Sequence, residues 1–525
     1  MPDQGKFDVI VVGAGFSGVY QLIRLREEGF KVHLLEAGAG LGGIWHWNCY
    51  PGARVDTHCE IYQFSRNELW SGWDWKERFP GWEEMRAYFD YVGEKLDVLK
   101  DVSLNSRVSK AKFNEVSNFW DLMTEDRRYL KTKFLIICTG FASKPFIPNI
   151  ENQDAFKGEA HHTALWPQNG VDFSGKRIGV VGTGASGIQV AQEASKVAKN
   201  LTVFQRTPNM YLPMGQQKYT PDDNKRMKAE LPERFRRRQE CFGGFDFDFI
   251  PVSGASVTDA EREETYERLW KAGGFHFWLG TYHDVFTNES VNRTAYEFWK
   301  KKTRERIQDK ELAEKLAPTD PPHPYAVKRP SLEQWYFEIF NYKNTDLVSL
   351  MEEPILRMSD NGIITSKKEY KFDVVVYATG FDAVTGGLTA LDISDTDGIK
   401  LGERWSAGVK TYLGLATSKF PNMLMSYGPQ APTGFCNGPS SAEYQGECII
   451  ELLSFIRDKE FVRFEVEEIY EENWRSKIRE LADQTLFPKA DSWYMGANIP
   501  GKTREMLMYP GGLPKYLEEF RNCAD

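Results

Sequence analysis

A chain of 525 residues has room for two to four domains, and a hydrophobic share of 41% is ordinary for a globular protein. No apolar run approaches the ~18 residues of a membrane helix, and Met1 to Lys6 carry no apolar signal core, so the expectation is a cytoplasmic protein with no membrane attachment. A net charge of −9 argues against a nucleic-acid partner, and seven scattered cysteines without Cys-x-x-Cys argue against disulfides, a zinc or other metal site, and dithiol reductase chemistry.

The first element is a short buried strand over residues 7–12, followed at once by Gly13-Ala14-Gly15-Phe16-Ser17-Gly18 and a helix over 19–28. Each glycine has a task in such a loop. One makes the tight turn, one lets backbone N–H groups approach a pyrophosphate, and one lets the helix pack on the strand. A second strand, Lys31 to Leu35, ends in Glu36, an acid placed to accept both hydroxyls of a ribose. This strand–loop–helix–strand–acid order predicts a dinucleotide site. Leu41-Gly-Gly43-Ile44-Trp45-His46-Trp47 and Tyr50-Pro-Gly-Ala-Arg54-Val-Asp56 come next. On its own, Asp56 reads as a turn or helix-cap aspartate.

Phe134 to Gly140 is another buried strand ending in Thr-Gly, and Asp373 to Gly380 repeats that form. Two such elements predict two crossings between nested units, the first leaving the opening unit and the second returning to it. The stretch from Phe156 to Pro167 lacks strict alternation and is punctuated by Gly158 and Pro167, so it reads as neither strand nor helix. It is a hinge candidate, in which Gly158 supplies unusual backbone angles. It also reads as an ordinary inter-domain linker.

A second unit follows. The strand Lys176 to Val181 leads into Gly182-Thr183-Gly184-Ala185-Ser186-Gly187, with Ile188 and Gln189 opening the helix behind it. The next strand, Asn200 to Phe204, ends in Gln205-Arg206-Thr207. An arginine where the first unit has Glu36 suits a 2′-phosphate through a charge-assisted contact. One chain thus offers a site suited to FAD and another suited to NADPH.

From 211 to 326 the chain turns helical and charged. Thr258-Asp-Ala-Glu261 reads as a capping box, Tyr266, Leu269 and Trp270 share a helix face, and Gly273 is a stop. The runs Arg236 to Arg238 and Lys300 to Lys302 read as solvated helix faces. Phe242 to Phe249 and Phe275 to Trp278 read as core or domain contacts. The rigid Pro318 to Pro324 closes the region, and Lys328-Arg329-Pro330 follows, by itself a surface basic pair.

The spacing Phe156-x-Gly158-x-x-x-His162-x-x-x-Trp166-Pro167 resembles the fingerprint of type I Baeyer–Villiger monooxygenases, which lies between two Rossmann domains in that family. The Gly-Gly-x-Trp run at Gly42 is similar to that of flavoprotein monooxygenases generally. The resemblance implies an α/β fold with two Rossmann-like domains and a helical insertion. The FAD domain takes residues 1–141 and 376–525, the NADP domain 142–210 and 327–375, and the insertion 211–326. It implies that Arg329 is catalytic and that Asp56 pairs with it. It places Ile44, Trp45, Trp47, Arg54, Tyr62 and Val108 at the flavin, with Gly438 where some members carry a bulkier residue. Lys328 joins Arg206 and Thr207 at the 2′-phosphate. Trp493 belongs to a mobile segment, Trp493 to Lys502, that reaches the nicotinamide side.

The activity implied is oxygen insertion beside a ketone carbonyl, using NADPH, FAD and O2 through a flavin C4a-peroxide, to give an ester or lactone. The implied partners are a small ketone and O2, the assembly a monomer or loose oligomer. Two rivals stand at this point: an N- or S-oxygenating flavin monooxygenase, and a non-catalytic NADPH-sensing flavoprotein.

Overall fold

The computed structural model describes residues 5–523; Met1 to Gln4, on which the expectation about a signal core partly rests, lie outside them. The opening strand is Lys6–Val12, and its Val9 to Val12 run is buried. Each such aliphatic side chain contributes about 1.5–3 kcal/mol when fully withdrawn from water. The helix behind the glycine loop is Phe16–Glu27, beginning earlier than the sequence suggests because Gly15 already serves as its N-cap. Val32–Leu35 lies parallel on one side of the opening strand and Tyr129–Ile137 parallel on the other. These are the centre of an eight-stranded sheet that Asp392–Ser394 and Met423–Met425 join late in the chain.

The second sheet has five strands in the order Thr345–Ser349, Asn200–Gln205, Arg177–Val181, Val374–Tyr377, Glu159–His162, all parallel. Tyr129–Ile137 and Val374–Tyr377 therefore belong to different sheets, as the two Thr-Gly elements suggest. The chain segments that follow them run side by side. The Phe146 amide donates to the Gly380 carbonyl at 2.9 Å, and the Thr379 hydroxyl donates to the Phe146 carbonyl at 2.6 Å.

The stretch from Phe156 to Pro167 corrects the sequence reading. Glu159–His162 is an edge strand of the five-stranded sheet, and Thr163–Leu165 is a 3-10 turn. Its parallel partner, not alternation of its own residues, makes it a strand. Gly158 is also needed for a different reason. It has no positive φ; a Cβ there would lie 2.7 Å from the Asp373 carbonyl oxygen and closer still to the Phe156 ring. The requirement is close approach rather than left-handed backbone.

The insertion contains the helices Pro221–Arg238, Asp259–Ala272, Glu289–Arg304 and Lys310–Leu316. The capping box at Thr258 and Glu261 forms, and Gly273 ends its helix at φ +70°. Lys300, Lys301 and Lys302 pair with Glu297, Glu263 and Glu267 on helix surfaces. Arg238 departs from the expected solvated face. It is 1% exposed and pairs with Glu443 between the Phe235 and Tyr444 rings. A buried carboxylate from another helix draws the last arginine of the run inward.

Candidate active site

Both glycine loops open into one cavity of about 1450 Å³. They are built alike. Gly13 has φ +104°, and a Cβ there would lie 2.5 Å from the Cys138 carbonyl oxygen; Gly182 has φ +109°, with Ala378 oxygen at 2.4 Å. A Cβ on Gly18 would meet the Gly13 oxygen at 1.7 Å, and one on Gly187 would meet the Gly182 oxygen at 2.1 Å. Gly184 has nothing within 4 Å of such a Cβ, and Gly15 only the Gly43 Cα at 3.6 Å. The outer glycines are thus fixed by protein, while the middle ones leave room for a ligand. Neither helix, Phe16–Glu27 nor Ala185–Val197, receives a side-chain cap. Four insertion helices do, from Thr220, Thr258, Asn288 and Asp309. Uncapped N–H groups at a loop free of side chains fit a pyrophosphate.

The strand ends differ in charge. Glu36 is 4% exposed, and its two carboxylate oxygens accept from the Ala14 and Gly38 amides, each at 2.6 Å. This fixes the carboxylate on the wall of the cavity. At the other strand end, Arg206, Thr207 and Lys328 line the wall. Burial, and then the positive charge of Arg206, hold the Lys328 ammonium below its usual range, with Asp491 opposing. Two cations set against each other suit a dianionic ligand group.

Arg329 lines the same cavity, paired with Asp56 of the opening unit and next in the chain to Lys328, which faces Arg206 of the second. Its Nε donates to Asp56 Oδ2 and its Nη2 to Asp56 Oδ1, both at 3.0 Å, and its Nη1 donates to the Gly434 carbonyl at 2.9 Å. The guanidinium carbon sits 4.8 Å from the Phe275 ring and 5.3 Å from that of Trp278. Burial works to lower its pKa, but Asp56 together with Tyr494 and Tyr427 outweighs it, and the group is held above the ordinary arginine value. Lys328 and Arg329 are therefore not a surface pair. Trp493 stacks on Phe141 at 5.4 Å, and the neighbouring Tyr494 hydroxyl donates to the same Gly434 carbonyl at 3.2 Å.

Most of the residues expected at the cofactors line this cavity: Gly13, Gly15, Phe16, Ser17 and Glu36; Ile44, Trp45, Trp47, Arg54, Tyr62 and Val108; Thr183 to Ser186, Gln189, Gly438 and Trp493. Gly438 begins the helix Gly438–Asp458, and the Tyr62 hydroxyl would lie 3.7 Å from a Cβ placed there. Gly18, Gly187 and Ile188 do not line it, since they pack helix against loop and core.

Nor do Phe156, Gly158, His162, Trp166 and Pro167, although Ala164 and Leu165 between them do. His162 is 3% exposed; its Nδ1 accepts from the Ala164 amide at 3.1 Å, and burial lowers its pKa. Beyond it the chain rests on the opening unit: Cys49 Sγ is 3.7 Å from the Trp166 carbonyl, and Gln168 Nε2 donates to the His46 carbonyl at 3.3 Å. The fingerprint thus ties an edge strand of one sheet to a loop of the other. Sequence reading missed Phe275, Trp278 and Gly434. The aromatic run at 275–278 was the available signal, since an obligate cation needs flat apolar surface as well as an anion.

Residues 6–223 match the family model described as flavin-binding monooxygenase-like, in keeping with two nucleotide cradles sharing one cavity. The cyclopentanone 1,2-monooxygenase of Comamonas sp. (strain NCIMB 9872) is 52% identical over 520 residues, covering 99% of this chain and 94% of that protein. A closed crystal structure of cyclohexanone monooxygenase superposes with a TM-score of 0.95 at 34% identity, over 99% of this chain and 97% of that one. OTEMO complexed with FAD and NADP does so at 0.94 and 34%, over the same shares. The chain belongs to the type I Baeyer–Villiger monooxygenases, enzymes that use FAD and NADPH.

Proposed function

We propose that this Baeyer–Villiger monooxygenase acts on small cyclic ketones, with Arg329 as the catalytic cation and Asp56 as its partner. The observation that carries the assignment is the two-pronged Asp56–Arg329 pair on the Phe275 and Trp278 rings, in the cavity that the two cradles share. When bound, FAD accepts hydride from NADPH and activates O2. The chain supplies binding, charge and exclusion of water. The Gly13 loop and Glu36 hold the flavin nucleotide; the Gly182 loop, Arg206, Thr207 and Lys328 hold NADPH. Arg329 offers positive charge beside the reacting centre without releasing a proton, which a buried lysine does not guarantee. Asp56 and the Gly434 carbonyl occupy three of its five N–H groups and fix its plane. Gly438 leaves space on the cavity wall beside Tyr62, where some members carry a bulkier residue, that a compact ring fills, and the 52%-identical relative is named for a five-membered ketone.

The proposal extends to the domain limits 1–141 with 376–525, 142–210 with 327–375, and 211–326. It includes His162 as part of the hinge between units, a cytoplasmic location, and a monomeric or loosely associated state. Arg329→Ala tests its centre. Loss of one preorganised charged donor costs on the order of 3 kcal/mol, about a hundredfold or more in rate. Lactone yield from cyclopentanone, measured by mass spectrometry, should fall at least that far while flavin absorbance on purification is retained. Wild-type yield from Arg329→Ala would remove Arg329 from the reaction.

A further inference from the structure

Between Asp56 and Tyr62, which both line the cavity, stands a histidine that does not. His58 is 5% exposed and points out of the opening unit into the insertion. Its Nε2 lies 2.9 Å from Asp246 Oδ1. The second Asp246 oxygen takes Arg234, which also pairs with Glu230 at 2.7 Å. In the opposite direction the His58 carbonyl accepts from the Ile61 and Tyr62 amides at 3.2 and 3.1 Å, forming the turn that presents Tyr62. One residue thus governs the geometry on both sides of it.

The insertion side of this contact leads to Arg329. His58 faces the Phe245 and Phe247 rings, with centroids at 6.5 and 6.3 Å. Phe245 meets Phe275 edge-on at 6.0 Å, and Phe275 packs on Trp278 at 4.9 Å. These last two are the rings beneath the Arg329 guanidinium. Arg329 is therefore held from two bodies: a carboxylate on the opening unit and an aromatic shelf on the insertion. Among the polar connections between them, which include the Tyr219 hydroxyl donating to Glu60 at 2.7 Å and Arg78 donating to the Ala272 carbonyl at 3.0 Å, the His58–Asp246 contact is the one that carries the Phe245 and Phe247 rings. A pair withdrawn from water in this way holds its geometry because breaking it strands a buried polar group.

We infer that His58 and Asp246 form a strut that sets Asp56 against the aromatic shelf, making both positioning residues for Arg329. The inference rests on the catalytic assignment of Arg329 above. A displacement of ~1 Å near a reacting centre costs on the order of a hundredfold in rate. Without the strut, NADPH oxidation should uncouple from oxygen insertion, in the balance NADPH + H⁺ + O2 → NADP⁺ + H2O2.

The test compares His58→Leu with His58→Gln, whose amide nitrogen restores a donor at the Nε2 position. Amide hydrogen exchange over residues 55–62 is measured on FAD-loaded enzyme without NADPH or ketone, and peroxide per NADPH is measured with cyclopentanone. His58→Leu should exchange at least tenfold faster there and release several times more peroxide, with the KM for NADPH unchanged; His58→Gln should return both toward wild type. Unchanged exchange in His58→Leu, or a glutamine variant no better than leucine, overturns the strut. Should His58→Leu lose FAD, the double variant His58→Leu/Asp246→Leu strands no buried partner and should show the same fast exchange. Wild-type exchange in it, or failure of both to fold, overturns the positioning role. A wild-type enzyme that makes no lactone refutes the proposed substrate and leaves the exchange comparison standing.

Discussion

The two glycine loops have nearly the same backbone and opposite partners. Gly13 and Gly182 differ by a few degrees in φ, and each closing glycine is pressed against the carbonyl of the opening one. Twenty-odd residues later one unit has buried Glu36 under two backbone amides, while the other leaves Arg206 exposed at the wall. The shared part addresses what the two nucleotides share, a pyrophosphate. The divergent part addresses what distinguishes them, a ribose with free hydroxyls or one carrying a phosphate. Backbone stereochemistry thus supplies affinity, and one side chain at a strand end supplies identity.

The comparison breaks most severely at the closing glycines. A methyl on Gly18 would sit 1.7 Å from a backbone oxygen, and one on Gly187 at 2.1 Å. Gly18→Ala should fold poorly and purify without flavin absorbance. Gly187→Ala should keep FAD and lose NADP⁺ affinity, with a stability cost of about 1–3 kcal/mol from overpacking. Gly184→Ala has free space around the new methyl, so its thermal midpoint should stay at wild type while NADP⁺ binding weakens. Calorimetric melting and NADP⁺ titration together separate the outcomes. An unstable Gly184→Ala would show that the middle glycine is structural.

The next effect sharpens the difference rather than the likeness. Arg206→Ala removes one charge-assisted contact, worth about 1.5–3 kcal/mol, so the KM for NADPH should rise on the order of tenfold to a hundredfold. The KM for NADH should hardly move, because that cofactor has no 2′-phosphate. Equal increases for both would mean that Arg206 serves the loop and not the phosphate.

Both cradles were legible in the sequence because their signals are local. A β-branched run, three glycines at fixed spacing and a charged strand end all lie within one supersecondary unit. The edge strand Glu159–His162 was not, since nothing in Glu-Ala-His-His alternates and its partner Val374–Tyr377 lies far along the chain. The same holds for Arg238. Its run reads as solvated until the helix carrying Glu443 is laid against it. Asp56 and Arg329 could be nominated by resemblance, but the shelf of Phe275 and Trp278 depends on how the insertion docks. Aromatic residues in a core and under a cation look alike in one dimension.

The smallest effect concerns acid, and it separates the insertion from the sheets. His276, in the insertion, has its pKa lowered to about 4 by burial, with the Gly273 carbonyl opposing and the charges of His58 and Arg78 assisting. His323, in the linker before Lys328, is lowered to about 4 by burial, with the Pro324 carbonyl opposing and Lys328 assisting. Both are neutral when folded and protonate near 6.5 when unfolded. Between those values the unfolded chain binds more protons, so stability rises with pH. The contribution is complete above pH 6.5 and is lost as pH falls toward 4. Asp373, beside Arg177 on the five-stranded sheet, has its pKa lowered to about 2, chiefly by the Arg177 side chain, and gives way only in the lower window from 3.8 to 2. Burial also lowers the pKa of His33 and of His162 on the two sheets, but less far than those of His276 and His323, so acidification should loosen the insertion before it loosens the sheets. Amide exchange at pH 7, 5 and 3.5 should show protection lost first over 259–326, with the strands 6–12 and 177–181 still protected at pH 5. Simultaneous loss in all three regions at pH 5 would mean that the insertion and the two sheets unfold as one unit.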